Sequence, residues 1–101
     1  MNINQLMKQA QTMQKKLNKV QNAFNEKVFS FENAEKTIKG QMKGNMEIVD
    51  LQLDEALLKE DKAMLEGAIV ATLNQARQQI ADQKEEEIGS IAGNVSIPNL
   101  F

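Results

Sequence analysis

Apolar residues recur at Ile3, Leu6, Ala10, Met13, Leu17, Val20 and Phe24, in alternating steps of three and four. That spacing is the a/d seam of a heptad repeat. No Gly or Pro interrupts it, and most residues between are good helix formers. The pattern predicts a helix over about residues 3–25 that needs a partner helix along its seam.

After Phe24 the period changes to two. Phe29 and Phe31 alternate with Val28, Ser30 and Glu32, and Ile38, Gly40 and Met42 alternate with Thr37, Lys39, Gln41 and Lys43. "ENAE" and Gly44–Asn45 are turn signals, and Met46–Leu53 is a third run rich in β-branched and apolar residues. Strands are expected over about 27–32, 36–43 and 46–53, as an antiparallel meander. Gly40 within the second strand marks a bulge or a close approach. "DEALLK" (54–59) suits a short helical turn, and Asp61 is a good N-cap. From Lys62, Leu65, Ala68, Ile69, Thr72, Leu73, Ala76 and Ile80 define one helical face. This second helix is expected over about 62–87, with Gly89 as its stop. The tail 89–101 is expected to be irregular, with Ile97, Leu100 and Phe101 as anchors. The fold class is therefore α+β, in the order α-β-β-β-α, as a single domain over 1–101.

Composition narrows the function. The 101 residues include no Cys, His, Trp or Tyr, which leaves no disulfide, no Cys/His zinc site, and no imidazole or thiol for catalysis. No EF-hand spacing or carboxylate pair calls for a metal or an enzymatic role, and no cofactor is expected. No signal-like stretch or apolar run of seven residues is present, so the expected location is the cytoplasm, with no membrane partner. Most of the six methionines, Met1, Met7, Met13, Met42, Met46 and Met64, suit core or seam positions better than a binding surface.

The net charge of −2 hides an asymmetry. Residues 1–27 hold five lysines and one glutamate, whereas residues 47–66 hold seven acids and two lysines. On the heptad, Lys8 and Lys15 fall at f, Lys16 at g and Lys19 at c. Lys8, Lys15 and Lys19 therefore stack on one face, with no acid before Glu26. A solvated face is the ordinary explanation of such lysines. A solvated face, however, usually mixes signs to gain i,i+4 pairs. A one-sign stripe also suits a row of phosphates. With one arginine and four scattered phenylalanines, base reading and base stacking are poorly supplied, so phosphate contact with weak sequence preference is the expected mode.

"LMKQAQTMQKKL" (6–17), the meander, and "LDEALLKEDKAMLEGAIVATLNQA" (53–76) together resemble the YbaB/EbfC family of bacterial nucleoid-associated proteins, as does the ending "GNVSIPNLF". The resemblance implies a cytoplasmic, nucleoid-bound homodimer joined through its sheet region, with long helices projecting like tweezers. It implies duplex DNA as partner, bound with low sequence specificity, and roles in gene regulation or nucleoid organisation. Its DNA-contacting positions transfer to Lys8, Lys15, Lys16 and Lys19, with Arg77 and Lys84 as further candidates. Two stretches depart from the family pattern. Glu32 and Glu35 in "ENAEKTIKG" and Glu85–Glu87 in "ADQKEEEIG" lower the local positive potential. The rival function is an adaptor dimer that engages an unidentified protein partner without DNA.

Overall fold

A computed structural model describes residues 2–94, with side chains through Ser90. The elements are α1 (Ile3–Glu26), β1 (Val28–Glu32), β2 (Ile38–Lys43), β3 (Ile48–Leu53), a 3-10 turn (Glu55–Lys59) and α2 (Lys62–Asn94). The strands form one antiparallel sheet in the order β1-β2-β3. The expected α-β-β-β-α order holds. The one substantial correction is α2, which continues through Gly89 to Asn94 instead of stopping near Glu87. A glycine inside a helix costs about 1 kcal/mol relative to alanine, too little to end a helix that has packing to gain. The expected tail anchors Ile97, Leu100 and Phe101 lie outside the described residues.

The core lies between one sheet face and the middle of α2. Phe24, Phe31, Met42, Ala76 and Ile80 form a buried cluster, with Phe29, Met46 and Leu73 packed on it. Alternation along β2 puts Ile38, Gly40 and Met42 inward. Thr72, buried within α2, donates its hydroxyl to the Ala68 carbonyl at 2.7 Å, so it carries no unpaired polar atom into the core.

Gly40 marks a close approach. It pairs with Phe31, and a Cβ at Gly40 would come within 2.5 Å of the Phe31 ring and of the Asp50 carbonyl oxygen. The sheet's bulge is one step further on, where Gln41 faces Asp50 and Met42 faces Ile48, leaving Val49 as the extra residue. The first turn is organised by Asn33, whose Oδ1 accepts from the Thr37 and Ile38 amides at 2.8 and 3.0 Å. Asp54 caps the 3-10 turn by accepting from Ala56 N–H at 3.0 Å, and Asp61 caps α2 by accepting from Met64 N–H at 2.7 Å.

Candidate nucleic-acid interface

Asn2 opens α1 by accepting from Asn4 N–H at 3.0 Å. The far end of the helix is fixed to the body. There Phe24 is buried, its ring centroid 5.4 Å from that of Phe29, and Gly44 N–H donates to the Lys27 carbonyl at 2.9 Å. Lys27 reaches across to α2. Its Nζ lies 3.3 Å from Glu87 Oε1 and 5.2 Å from the Phe29 ring centroid. α1 therefore ends level with the second half of α2.

Helix lengths show where α1 goes from there. At 1.5 Å per residue the two helices laid end to end would span about 85 Å. The molecule is 69 Å long. Because α1 ends near Glu87, that length requires α1 to run outward, antiparallel to α2 and past its C-terminal end. The overlap is then about 16 Å, roughly eleven residues of each helix. Burial follows this division: Phe24 is buried, Met13, Leu17 and Val20 are half-buried, and Ile3, Leu6 and Ala10 are exposed.

The seam's partner is thus α2 of the same chain for its inner half, and nothing among the described residues for its outer half. Lys8, Lys15, Lys16 and Lys19 are all exposed on this arm. Among the described residues, none of the four lies in an ion pair. The cations that do pair are Lys27 with Glu87, Lys43 with Glu26 and Glu47, and Lys62 with Glu66. Three lysines outside the stripe are thus paired with carboxylates among the described residues, whereas none of the four arm lysines is. Lys43 is held above its usual pKa of 10.5, first by its hydrogen bond and charge attraction to Glu26, then by Glu47.

The remaining candidate positions are not grouped with the stripe. Lys84 is half-buried on α2 near the end of α1. Arg77 is exposed on the stretch of α2 above the sheet, about 27 Å or more along the axis from Lys8. Of the glutamates in the run 85–87, Glu85 and Glu86 are exposed. Glu87 is tied to Lys27 and also accepts from Gln83 Nε2 at 3.2 Å. No local pattern signals that pair, because its partners are 60 positions apart.

Residues 1–95 match the profile of the YbaB/EbfC DNA-binding family. The chain belongs to that family. A nucleoid-associated protein of Alkaliphilus metalliredigens is 33% identical over 101 residues, covering 99% of this chain and 89% of the relative. The crystal structure of the uncharacterized protein HP0035 from Helicobacter pylori superimposes with a TM-score of 0.75 at 20% identity, covering 91% of this chain and 98% of that one. At that identity the likeness establishes a shared fold. Within the YbaB/EbfC fold the strongest basic feature of this member is the α1 arm. No described helix is long and apolar enough to cross a membrane.

Proposed function

We propose that the protein is a nucleoid-associated homodimer that holds duplex DNA mainly through phosphates, with little sequence preference. The observation that carries this reading is the lysine stripe, four exposed cations on an arm that projects away from the acidic body and free of ion pairs among the described residues. Lys8, Lys15, Lys16 and Lys19 supply the phosphate contacts. Lys84 contributes near the base of the arm, and Arg77 contributes little because of its distance from the stripe. Family membership and the nucleoid-associated relative support DNA as the ligand and the nucleoid as the location.

The dimer rests on β3. All six of its residues are exposed although four are apolar: Ile48, Val49, Leu51 and Leu53. An apolar, unpaired edge strand is a template for association. Covering these side chains with a second copy contributes roughly 1 kcal/mol each. Two arms then present eight lysines, and full engagement would give a log–log salt slope of about −7.

A gel shift with generic duplex DNA at low and high salt, run on wild type and on Lys8→Gln/Lys15→Gln/Lys19→Gln, tests the reading. Binding that weakens at least about tenfold in the variant, with a flatter salt slope, is expected. Unchanged affinity would make the stripe a solvated face and favour the adaptor alternative. Sedimentation equilibrium should give twice the 11.3 kDa chain mass, and a monomer at micromolar concentration would remove the two-armed arrangement.

A further inference from the structure

β1 is an open edge of the sheet. In the order β1-β2-β3 it pairs with β2 alone. Gly44 N–H donates to the Lys27 carbonyl at 2.9 Å, and Asn33 N–H donates to the Ile38 carbonyl at 3.0 Å. Antiparallel alternation then directs the backbone groups of Lys27, Phe29, Phe31 and Asn33 to β2. Those of Val28, Ser30 and Glu32 point to the outer side, and all three residues are exposed. The strand has no proline and only one charge, Glu32, so little on it blocks a further strand. Beneath the edge, between β1 and α2, lies a cavity of about 350 Å³. Phe29, Phe31, Ala76 and Ile80 give its apolar surface, and Asp82 and Glu86 stand on its α2 wall. Among the described residues no cation lines it. At about 100° per residue, Arg77 and Lys84 fall on the opposite flank of the buried Ala76–Ile80 line. Asp82 accepts from Gln78 Nε2 at 2.9 Å, and neither carboxylate is in an ion pair among the described residues.

We propose that this edge receives an extended basic segment of another protein, added to the sheet as a fourth strand, with alternate arginine or lysine side chains directed over the cavity. An extended chain turns every second side chain to the Phe29 and Phe31 side of the sheet. A long cationic side chain suits that position. Its stem lies along Phe29 and Ile80, and its head reaches Asp82 or Glu86. A purely apolar segment would desolvate the carboxylates without pairing them, and an acidic one would meet like charge. Main-chain hydrogen bonds to Val28, Ser30 and Glu32 supply the affinity, and the two acids select the sign of the partner. The site is on the opposite edge of the sheet from β3, so the proposed dimer leaves it open. This inference does not depend on DNA being the ligand.

The probe is a short acetylated and amidated peptide in which arginine alternates with valine. Titrated into the ¹⁵N-labelled full chain, it should shift the amide signals of residues 28–32 and 79–86. It should also slow hydrogen exchange at the Val28, Ser30 and Glu32 amides, which exchange fast in the protein alone. The same peptide with glutamate in place of arginine should bind at least about tenfold more weakly. Asp82→Asn/Glu86→Gln, both at exposed positions, should weaken the arginine peptide about fivefold at low salt. Ser30→Pro removes an N–H that faces away from β2, so the sheet should persist while peptide binding is lost. Shifts confined to other surfaces, equal binding of the glutamate peptide, or unchanged affinity in the Asp82/Glu86 variant would overturn the proposal. Slow exchange at Ser30 and Glu32 in the protein alone would assign the edge to a second copy and overturn it too.

Discussion

Replacing Gly44 by alanine should destabilise the protein strongly, because Gly44 is where the β2–β3 turn seats on the end of α1. A Cβ there would lie 1.9 Å from the Phe24 carbonyl oxygen, 2.7 Å from Phe24 Cδ1 and 2.8 Å from its carbonyl carbon. An ordinary contact begins near 3.4 Å, so the turn and the helix end must part by about 1.5 Å. The obstacle is backbone, which cannot rotate away. Overpacking of this kind costs about 1–3 kcal/mol. The separation also stretches two hydrogen bonds, Gly44 N–H to the Lys27 carbonyl (2.9 Å) and Asn45 N–H to the Asn25 carbonyl (3.3 Å). At about 1 kcal/mol each, the total reaches roughly 3–5 kcal/mol, a large share of the stability of a domain this size. Gly67 and Gly89 provide the control. A Cβ at either meets nothing within 4 Å, and both sit inside α2. Alanine there should stabilise by about 0.5–1 kcal/mol. The assay is urea unfolding followed by circular dichroism, at one fixed protomer concentration because the proposed dimer would make the midpoint concentration-dependent. A Gly44→Ala protein within about 0.5 kcal/mol of wild type would refute the reasoning, since that is the scatter of ordinary surface changes.

Lys36 is exposed and holds a φ of 59° at the end of the β1–β2 turn, so Lys36→Gly should raise stability by about 1 kcal/mol, read as a higher urea midpoint. The pKa of Lys43 is raised in the folded state, so its contribution is fully present below pH 10.5 and is lost as pH climbs through the higher folded value. Wild type and Lys43→Gln should therefore differ in stability at pH 8 and converge as pH climbs through the raised folded value, and a gap that stays constant as pH rises past 10.5 would contradict the assignment. Glu85 and Glu86 face solvent near the base of the arm, so Glu85→Gln/Glu86→Gln should tighten DNA binding about two- to threefold at low salt and have little effect at high salt. Glu87→Gln should instead loosen the junction slightly, by at most about 0.5 kcal/mol, because its pair with Lys27 is partly exposed.

Periodicity carried most of the fold. The 3–4 spacing of α1, the change to period two at Val28 and the α2 face from Leu65 to Ile80 all correspond to formed elements. The caps at Asp54 and Asp61 were legible because their chemistry is local. Gly40 was legible as an anomaly, but its reason was not. The Phe31 ring that occupies the missing side chain's space is a cross-strand neighbour, and only the register identifies it. The end of α2 was misread for a similar reason. Gly89 looks like a stop when only local propensity counts, yet continuing the helix gives the α1 seam its partner. Glu87 is the same lesson in charge. Within its own run it looks like one more repulsive acid, and folding turns it into the counter-ion of Lys27.

The charge segregation noticed in the sequence acquires its meaning from distance. A net charge of −2 would suggest that phosphate is repelled, and a compact fold with mixed surfaces would make that suggestion fair. This fold is not compact: its extents are 69 × 23 × 16 Å. Lys8 stands about 27 Å along α1 from the end of that helix, and the acids of residues 47–66 lie beyond it on the body. Charges that far apart are several Debye lengths from each other, since one length is about 8 Å at physiological salt. The acidic body therefore cannot cancel the field of the arm's tip, although Glu85 and Glu86 can still weaken it near Lys19. The arm can be purely basic because α1 does not depend on i,i+4 ion pairs for its stability. Its inner half is held by Phe24 in the core cluster, and Leu17 and Val20 are half-buried. With stability assigned to the seam, the outer positions are free to carry one sign of charge, and on the proposed reading it is those positions, not the sum, that a phosphate would meet.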